Sequence, residues 1–438
     1  MINFSRVSMQ AILEHFKAIS AIPRCSYYAE KMKDFIKNFA SDLGFRVQED
    51  ACGNVLCVKG TPRVCLQAHY DMVCIGDTDP IVLYQEDSWL KARASTLGAD
   101  NGMGMAIMFW AMERHDDLEC LFTSDEEVGL LGAMGFSLPL RSDYILNLDA
   151  EEAGEIYIGC AGGVDVHATL ELTYAPLEKE ALLYEVHAFD FLGGHSGVDI
   201  DKPIPSAIKA LVYELLHQKE IRLVSIEGGE RLNAIPKSAT AVVACSHPLG
   251  ITDPRIRVRR FEDARFTHAL VQSDRIVSAL GAFAQGVRAW DKTLDIPSLS
   301  MNLGIVTQKQ NKLHVEVSIR AMDDENLAIL ANETTAFFKG FSFTCKLEGG
   351  HGAWKPSVGA FADVVRDAMQ TFYPHAVFKA IHAGLECGEL VARQSKKIEA
   401  VSIGPTIRYP HSVREECDLD SVERIAQVVQ KIISFYKD

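Results

Sequence analysis

Three apolar runs of the sequence, each typical of a strand, are followed directly by carboxylate or histidine side chains. The first run is followed by His69 and Asp71, the second by Glu126 and Glu127, and the third by Asp149. Imidazole nitrogens and carboxylate oxygens together suit zinc or a similar divalent ion. In open α/β sheets, ligands bind beyond the carboxyl ends of the strands, so the three clusters predict one site.

The spacing inside these clusters suggests which residues bind a metal ion and which support or assist them. Residues two apart on an extended segment point to the same side, so Asp71 can fix the second ring nitrogen of a ligating His69. Adjacent side chains diverge, so Glu127 can bind a metal ion while Glu126 addresses a water. Taken alone, however, the first pair favours a surface contact at a strand end. The two glutamates alone favour the solvated first turn of a helix.

Two loop segments add an aspartate and a second histidine to the set. Asp100 lies in the glycine-rich segment Gly98–Gly104 at the start of a predicted helix. Its two carboxylate oxygens could bridge two metal ions, and the alternative is that Asp100 or Asn101 caps the helix. His411 lies in a proline-containing loop, where a histidine is more often simply exposed.

The elements that must position these residues form an alternating pattern over residues 1–180. Helices that alternate with strands predict an α/β sheet covered by helices on both faces. The predicted helices are an amphipathic N-terminal segment through Ile19, then Ala29–Leu43 and Asn101–Arg114. The predicted strands are Asn54–Val58, Arg63–Ala68, Leu118–Phe122 and Tyr144–Leu148.

Around residue 183 the pattern changes to that of a second, α+β unit. Its predicted strands are Leu183–Phe189, Thr240–Cys245 and Leu313–Arg320, and its predicted helices are Ser206–Leu216, Asp274–Trp290 and Glu325–Lys339. From about Gly349 the chain returns to the first unit, with a strand at Lys397–Ile403 and a helix at Leu419–Phe435. We therefore predict a first domain of residues 1–183 and 350–438 and an inserted domain of residues 184–349.

Length and composition restrict the class of protein. The 438 residues are 48% hydrophobic and 24% charged, which is typical of a soluble globular protein with two domains. The net charge of −15 argues against nucleic acid or anionic membrane partners. No run approaches the roughly 18 apolar residues of a membrane span. The eleven scattered cysteines favour a reducing compartment without a disulfide framework, so we expect a cytoplasmic protein.

Eight sequence blocks, in a fixed order over nearly the whole chain, resemble the cytosolic aminoacyl-histidine dipeptidases, or peptidase D group. That group is related to carboxypeptidase G and the carnosinases, which are co-catalytic zinc peptidases. The blocks are His69-x-Asp71, Leu97–Gly102, Glu126-Glu127, Asp149, Gly193–Gly197, Asn233–Pro236, His382–Gly388 and Ser402–Thr406.

The resemblance implies two zinc ions per subunit, for which manganese or cobalt could substitute. His69 and Asp149 would bind one ion, Glu127 and His411 would bind the other, and Asp100 would bridge them. The fold it implies is a zinc-peptidase catalytic domain with a mixed sheet flanked by helices. An inserted α+β domain would act as a lid and form a homodimer.

The resemblance also implies roles beyond the metal ligands. Asp71 would hold His69, Glu126 would be the general base and acid, and His195 would help to stabilise the oxyanion. The residues assigned to substrate binding are Asn233, Arg320 and Glu386. Both the span between His69 and Asp100 and the inserted domain are shorter than is usual for the group. We therefore expect the segment Cys74–Leu90 to shape the rim of the pocket.

The implied activity is hydrolysis of the peptide bond of dipeptides, of the Xaa-His type and more broadly, by a zinc-activated water. The partner would be a small peptide substrate. One alternative within the hydrolases is the deacylation of N-acyl amino acids or cleavage of another small amide. An alternative of another class is a non-catalytic binding relative. The predicted ligands and Glu126 are all present, which favours an enzyme.

Overall fold

The computed structural model describes residues 8–263 and 265–437, and they form two compact units. The first unit contains the chain up to Cys160, Trp354–Ala380 and the chain from Gly384 onward. The second unit contains Ala161–Ala353 and Ile381–Ala383. None of the helices within the described residues has the length and apolar character that a transmembrane span requires.

Ten helices and 25 strands lie within the described residues. The helices are α1 (Met9–Ser20), α2 (Glu30–Asp42), α3 (Ala99–Met112), α4 (Leu131–Gly135), α5 (Ala207–Leu216), α6 (Ser273–Ala282), α7 (Asp324–Gly340), α8 (Ala360–Gln370), α9 (Glu386–Ala392) and α10 (Leu419–Phe435). The strands are β1 (Arg46–Glu49), β2 (Val55–Lys59), β3 (Val64–His69), β4 (Leu83–Glu86), β5 (Trp89–Ala92), β6 (Leu118–Thr123), β7 (Tyr144–Asn147), β8 (Glu155–Cys160), β9 (Gly162–Glu171), β10 (Tyr174–Pro176), β11 (Leu182–Ala188), β12 (Gly194–His195), β13 (Arg222–Gly228), β14 (Ala234–Ile235), β15 (Ala239–Cys245), β16 (Ile256–Phe261), β17 (His268–Leu270), β18 (Gly286–Asp291), β19 (Ile296–Lys309), β20 (Lys312–Ala321), β21 (Thr344–His351), β22 (Val377–Ile381), β23 (Glu399–Ser402), β24 (Ile407–Arg408) and β25 (Glu416–Asp418).

The main sheet of the first unit is mixed and has the strand order β1-β2-β6-β3-β7-β23-β8-β22. Strand β3 lies between β6 and β7 and runs parallel to both, and β7 runs parallel to β23. The strands alternate their side chains between two cores. Leu66 packs in a core shared with Phe16 and Phe109, whereas Cys65 packs in a core shared with Phe136. Helices therefore cover both faces, which confirms the predicted α/β class.

The second unit contains a sheet with the order β16-β11-β15-β13-β19-β20-β9-β21, to which β18 is added beside β19. Helices α5, α6 and α7 pack on one core of this sheet through Leu211, Leu280 and Phe338. The predicted helix Asp274–Trp290 is wrong in its second half, because α6 ends at Ala282 and Gly286 opens strand β18 with a φ of 102°. A left-handed backbone at a glycine cannot continue a helix, and the following residues pair with β19.

The units change at Cys160–Ala161, earlier than residues 183 and 184 of the sequence-based division. The reason is strand β9, which is paired along its length with β20 and also with β21. The return to the first unit at Trp354 lies close to the predicted residue 350. A short segment, Ile381–Ala383, belongs to the second unit although it lies within the predicted first domain.

One cysteine pair departs from the expected reduced state. Cys25 and Cys74 form a disulfide across a sequence separation of 49 residues. An isolated parallel bridge between Cys25 and Met72 brings the two segments together. The other nine cysteines of the described chain form no disulfide, and most of them are buried, as their positions in apolar runs indicated.

Candidate metal centre

The carboxyl ends of three parallel strands meet at one edge of the first unit's main sheet. In the register of these strands, His69 at the end of β3 lies beside Thr123 of β6, and Gln67 lies beside Asn147 of β7. The residues that directly follow the strands therefore emerge side by side. This is the arrangement that the three sequence clusters predicted.

Three of the predicted ligands form a first group around His69. Its Nε2 lies 3.0 Å from Oδ1 of Asp100 and 3.3 Å from Oδ1 of Asp149. The His69 side chain is 1% exposed, and the two aspartate side chains are 10% and 8% exposed. The amide of Asn101 donates to Asp149. One nitrogen and two carboxylate oxygens thus converge on one buried point.

The other predicted ligands form a second group that shares Asp100. Nε2 of His411 lies 3.0 Å from Oδ2 of Asp100 and 2.8 Å from Oε2 of Glu127. The Glu127 side chain is buried, whereas the His411 side chain is 45% exposed. In each group the potential ligand atoms lie within 4.8 Å of one another. The two oxygens of Asp100 face different histidines, as a bridging carboxylate requires.

The donor set fits a pair of divalent cations. Two imidazole nitrogens and three carboxylates are ligands that zinc accepts. Within the described residues, the buried Oε1 of Glu127 has no hydrogen-bond partner. A buried acceptor without a donor is costly unless a cation satisfies it. Glu151 adds another carboxylate near Asp100 and Asp149, and burial raises its pKa well above the ordinary value.

Asp71 contacts both His69, at the end of β3, and the turn that follows β6. Its side chain is fully buried, and its Oδ1 lies 3.4 Å from Nδ1 of His69. The backbone N–H groups of Glu126 and Glu127 donate to its two oxygens at 3.0 and 3.4 Å. The hydroxyl of Ser26 donates to Oδ2 at 2.7 Å. Asp71 therefore orients the His69 ring and fixes the turn that carries both glutamates.

Glu126 lies next to both metal groups, near His69 of the first and Glu127 of the second. Burial raises the pKa of its carboxyl well above the ordinary value, and the neighbouring carboxylates of Glu127 and Asp149 add to this shift. A carboxyl group with a raised pKa is, when ionised, a stronger proton acceptor than an ordinary carboxylate. A third possible ligand group combines Glu126 with His69 and Glu127, so the Glu126 carboxylate lies within reach of a bound metal ion and its water.

Glu386 occupies a fully buried position in the first unit, at the start of α9. Its Oε2 accepts hydrogen bonds from Nε2 of Gln67 at 2.5 Å and from Oγ1 of Thr123 at 2.7 Å. Gln67 also accepts from Asn147, whose side chain accepts from the backbone N–H of Asp149. Burial raises the pKa of Glu386 to about 7. The assigned substrate contact of Glu386 stays a prediction.

The remaining three predicted site residues lie together in the second unit. The backbone N–H of Ser196 donates to the carbonyl of Asn233 at 2.9 Å, and His195 pairs with Ala234 between β12 and β14. A Cβ added at Gly197 would lie 3.1 Å from the ring of His195 and 3.2 Å from Nε of Arg320. The same Cβ would clash with the carbonyl oxygen of His382. Glycine at position 197 therefore lets the segments that carry His195, Arg320 and His382 approach closely.

The tautomer of His195 follows from its local contacts. Its Nδ1 accepts from the backbone N–H groups of Gly197 and Val198, both at 3.2 Å. In a neutral ring with Nδ1 as acceptor, the proton resides on Nε2. The structure thus presents Nε2 of His195 as a hydrogen-bond donor.

Sequence reasoning missed two buried charged residues next to the metal groups. Arg24 is 2% exposed and donates to the carbonyls of Tyr70 and Asp71 at 3.2 and 2.7 Å. Glu415 is 3% exposed and accepts from backbone N–H groups near Asp100. Glu415 lies beside Arg414 and Glu416, as in an exposed loop, and Arg24 lies between Pro23 and Cys25; no sequence pattern marks either residue as a buried charge.

Comparison with known proteins gives a consistent assignment. Peptidase family M20/M25/M40 matches residues 65–434. The cytosol non-specific dipeptidase of Escherichia coli (strain K12) is 33% identical over an alignment of 469 positions that covers 96% of each chain. The crystal structure of aminoacylhistidine dipeptidase from Vibrio alginolyticus aligns with a TM-score of 0.79 at 29% identity, over 98% of this chain and 97% of that chain.

A more distant structure shares the fold. A tripeptidase from Staphylococcus aureus aligns with a TM-score of 0.61 at 15% identity, over 98% of this chain and 99% of that chain. The family match covers all five predicted metal ligands, since they lie between residues 69 and 411. Together with the sequence blocks and the fold, this match shows that the chain belongs to peptidase family M20/M25/M40.

Proposed function

We propose that this enzyme is a metal-dependent dipeptidase. The observation that carries the proposal is Asp100, whose two oxygens face His69 on one side and His411 on the other at 3.0 Å each. The 33% identity with a dipeptidase of Escherichia coli supports the substrate class. The Vibrio alginolyticus neighbour supports Xaa-His dipeptides as one kind of substrate within that class.

Two zinc ions are the proposed cofactor. His69 and Asp149 would hold one ion, Glu127 and His411 the other, and Asp100 both. Divalent ions at such positions acidify a water and polarise a carbonyl group. The imidazole and carboxylate donors favour zinc over magnesium or calcium, which prefer oxygen ligands alone.

Glu126 is the proposed catalytic residue for proton transfer. Its carboxyl accepts a proton from the attacking water and returns it to the leaving amine as the peptide bond breaks. The backbone N–H of Glu126 donates to Asp71 at 3.0 Å, which holds the turn in place during this transfer. Burial raises the pKa of the Glu126 carboxyl, which makes its carboxylate a stronger proton acceptor.

The second unit is proposed to serve the oxyanion and the substrate. The N–H at Nε2 of His195 is a suitable donor to a developing oxyanion. Arg320 and Asn233, which lie near His195 around Gly197, are proposed to bind the substrate termini. We further propose that this unit forms a homodimer and that the protein is cytoplasmic, as the name of the Escherichia coli relative states for that protein.

A substrate panel tests the proposed specificity. We expect kcat/KM for dipeptides, including Xaa-His, to exceed that for tripeptides and N-acyl amino acids by at least about 100-fold. A site that binds a free amino group leaves buried polar groups unpaired when that group is missing or displaced, which costs such factors. The measurement is initial rates of the purified zinc-loaded protein. A higher kcat/KM for N-acyl amino acids would instead identify a deacylase.

A further inference from the structure

The carboxylate of Glu415 is bound by four successive backbone N–H groups. Its Oε2 accepts from Leu97 and Gly98, both at 2.9 Å. Its Oε1 accepts from Ala99 at 2.8 Å and from Asp100 at 3.3 Å. A buried carboxylate that accepts charge-assisted hydrogen bonds is a strong anchor. The segment that carries the bridging aspartate is thus fixed by one side chain.

The same residue also ends the loop that carries the exposed ligand His411. The backbone N–H of Glu415 donates to the carbonyl of Ser412 at 3.1 Å, and the hydroxyl of Ser412 donates to the carbonyl of Tyr409 at 2.7 Å. Tyr409 and His411 have left-handed backbones, with φ of 52° and 55°. The loop therefore has a defined closed shape, and Glu415 attaches it to the Leu97–Asp100 segment.

Arg24 holds the opposite side of that segment. Its Nη2 donates to the carbonyl of Gly98, while its Nη1 donates to the carbonyls of Tyr70 and Asp71. The backbone of Leu97–Asp100 is thus fixed on two sides. Glu415 accepts hydrogen bonds from its N–H groups, and Arg24 donates a hydrogen bond to the carbonyl of Gly98. A shift of Glu415 would move Asp100 and the His411 loop together. His69 and Asp149 lie on other segments, at the ends of β3 and β7, and meet the shifted segment only at Asp100 and Asn101.

We propose that Glu415 is a positioning residue that sets the affinity of the metal site formed by Asp100, Glu127 and His411. This inference rests on the proposed two-metal function and adds the residue that couples two of its ligand segments. The site formed by His69 and Asp149 depends on Glu415 only through Asp100 and its neighbour Asn101, whose amide donates to Asp149. The two sites must therefore respond unequally to a change at Glu415.

The test is Glu415→Gln, studied by titrating the metal-stripped full-length protein with Co2+ and following its absorption spectrum. Glutamine has one acceptor oxygen, and its amide group would point donors at backbone N–H groups. We expect the Co2+ in the site formed by Asp100, Glu127 and His411 to lose about 10- to 100-fold in affinity, the usual effect of removing a residue that orients a ligand. The other Co2+ should change by less than about threefold.

The matched control is the neighbouring acid, Glu416→Gln. The Glu416 side chain pairs instead with Lys91 at 3.2 Å and Arg408 at 4.0 Å, so both Co2+ affinities should be unchanged. A second variant, Glu415→Asp, keeps the charge and should recover part of the lost affinity. Circular dichroism shows whether Glu415→Gln folds. If it does not fold, the Co2+ affinities of Glu415→Asp test the proposal by the same criteria.

Equal affinity of Glu415→Gln and wild type for both ions would overturn the inference while leaving the proposed function intact. Equal weakening of both ions, together with a lower melting temperature, would also overturn it, because Glu415 would then serve the fold as a whole. Binding of fewer than two Co2+ by the wild type would overturn the proposed function and, with it, this inference.

Discussion

Replacing Glu126 with alanine is expected to lower kcat for dipeptide hydrolysis by about 100- to 10,000-fold, the range for loss of a general acid–base group. The physical reason is that the attacking water then lacks the carboxylate that accepts its proton. Metal content should stay at two ions per chain, because the two proposed metal groups, His69–Asp100–Asp149 and Asp100–Glu127–His411, each contain three potential ligands without Glu126. Initial rates and elemental analysis of the same preparation measure both quantities.

The control for this experiment is Asp125→Asn, on the same turn. Asp125 accepts a hydrogen bond from the backbone N–H of Tyr27 at 2.6 Å, and asparagine keeps that acceptor and tolerates the φ of 49°. Its kcat should stay within about threefold of wild type. A Glu126→Ala protein that retained a tenth or more of the activity would refute the proton-transfer role. Loss of one metal ion would instead make Glu126 a ligand.

The second large effect is expected for Asp100→Ala. Asp100 is the one side chain common to both predicted metal groups, so its removal weakens both sites at once. Metal ions contribute several kcal/mol of transition-state stabilisation, and every 1.36 kcal/mol is a factor of ten. We therefore expect kcat to fall more than about 1,000-fold and the metal content to fall below two ions per chain.

Asp116→Ala is the control for a general loss of negative charge. Asp116 is 85% exposed and forms a surface ion pair with Lys59, a kind of contact that contributes little. Its activity and metal content should match those of the wild type. Full metal content in Asp100→Ala would be incompatible with a bridging role for this carboxylate.

The part of the site that could be predicted from sequence consists of residues whose position follows from their sequence neighbours. His69, Glu126 and Asp149 each follow a short apolar run, and parallel strands bring the ends of such runs to one edge of a sheet. The same local logic predicted seven of the ten helices but only eight of the 25 strands of the described residues, because many of the others are short or lie in the second unit. The family resemblance was confirmed by the match to residues 65–434, and it alone connected His411 with Asp100.

What could not be predicted depends on contacts between distant segments. Glu415 is 315 residues from Asp100 in sequence, and only the fold makes its carboxylate the acceptor of that loop. Arg24 and the Cys25–Cys74 disulfide depend in the same way on a bridge between two loops. The predicted helix at 274–290 was wrong beyond Ala282, because pairing with β19 outweighed its helical periodicity.

Chelation followed by metal addition tests the central claim most directly. The purified full-length protein is assayed with a dipeptide before treatment, after removal of metal by a chelator and dialysis, and after titration with Zn2+. We predict that activity falls to background on chelation and returns in proportion to bound metal, reaching its maximum near two ions per chain. Undiminished hydrolysis by protein shown by elemental analysis to contain no metal would contradict a metal-dependent dipeptidase.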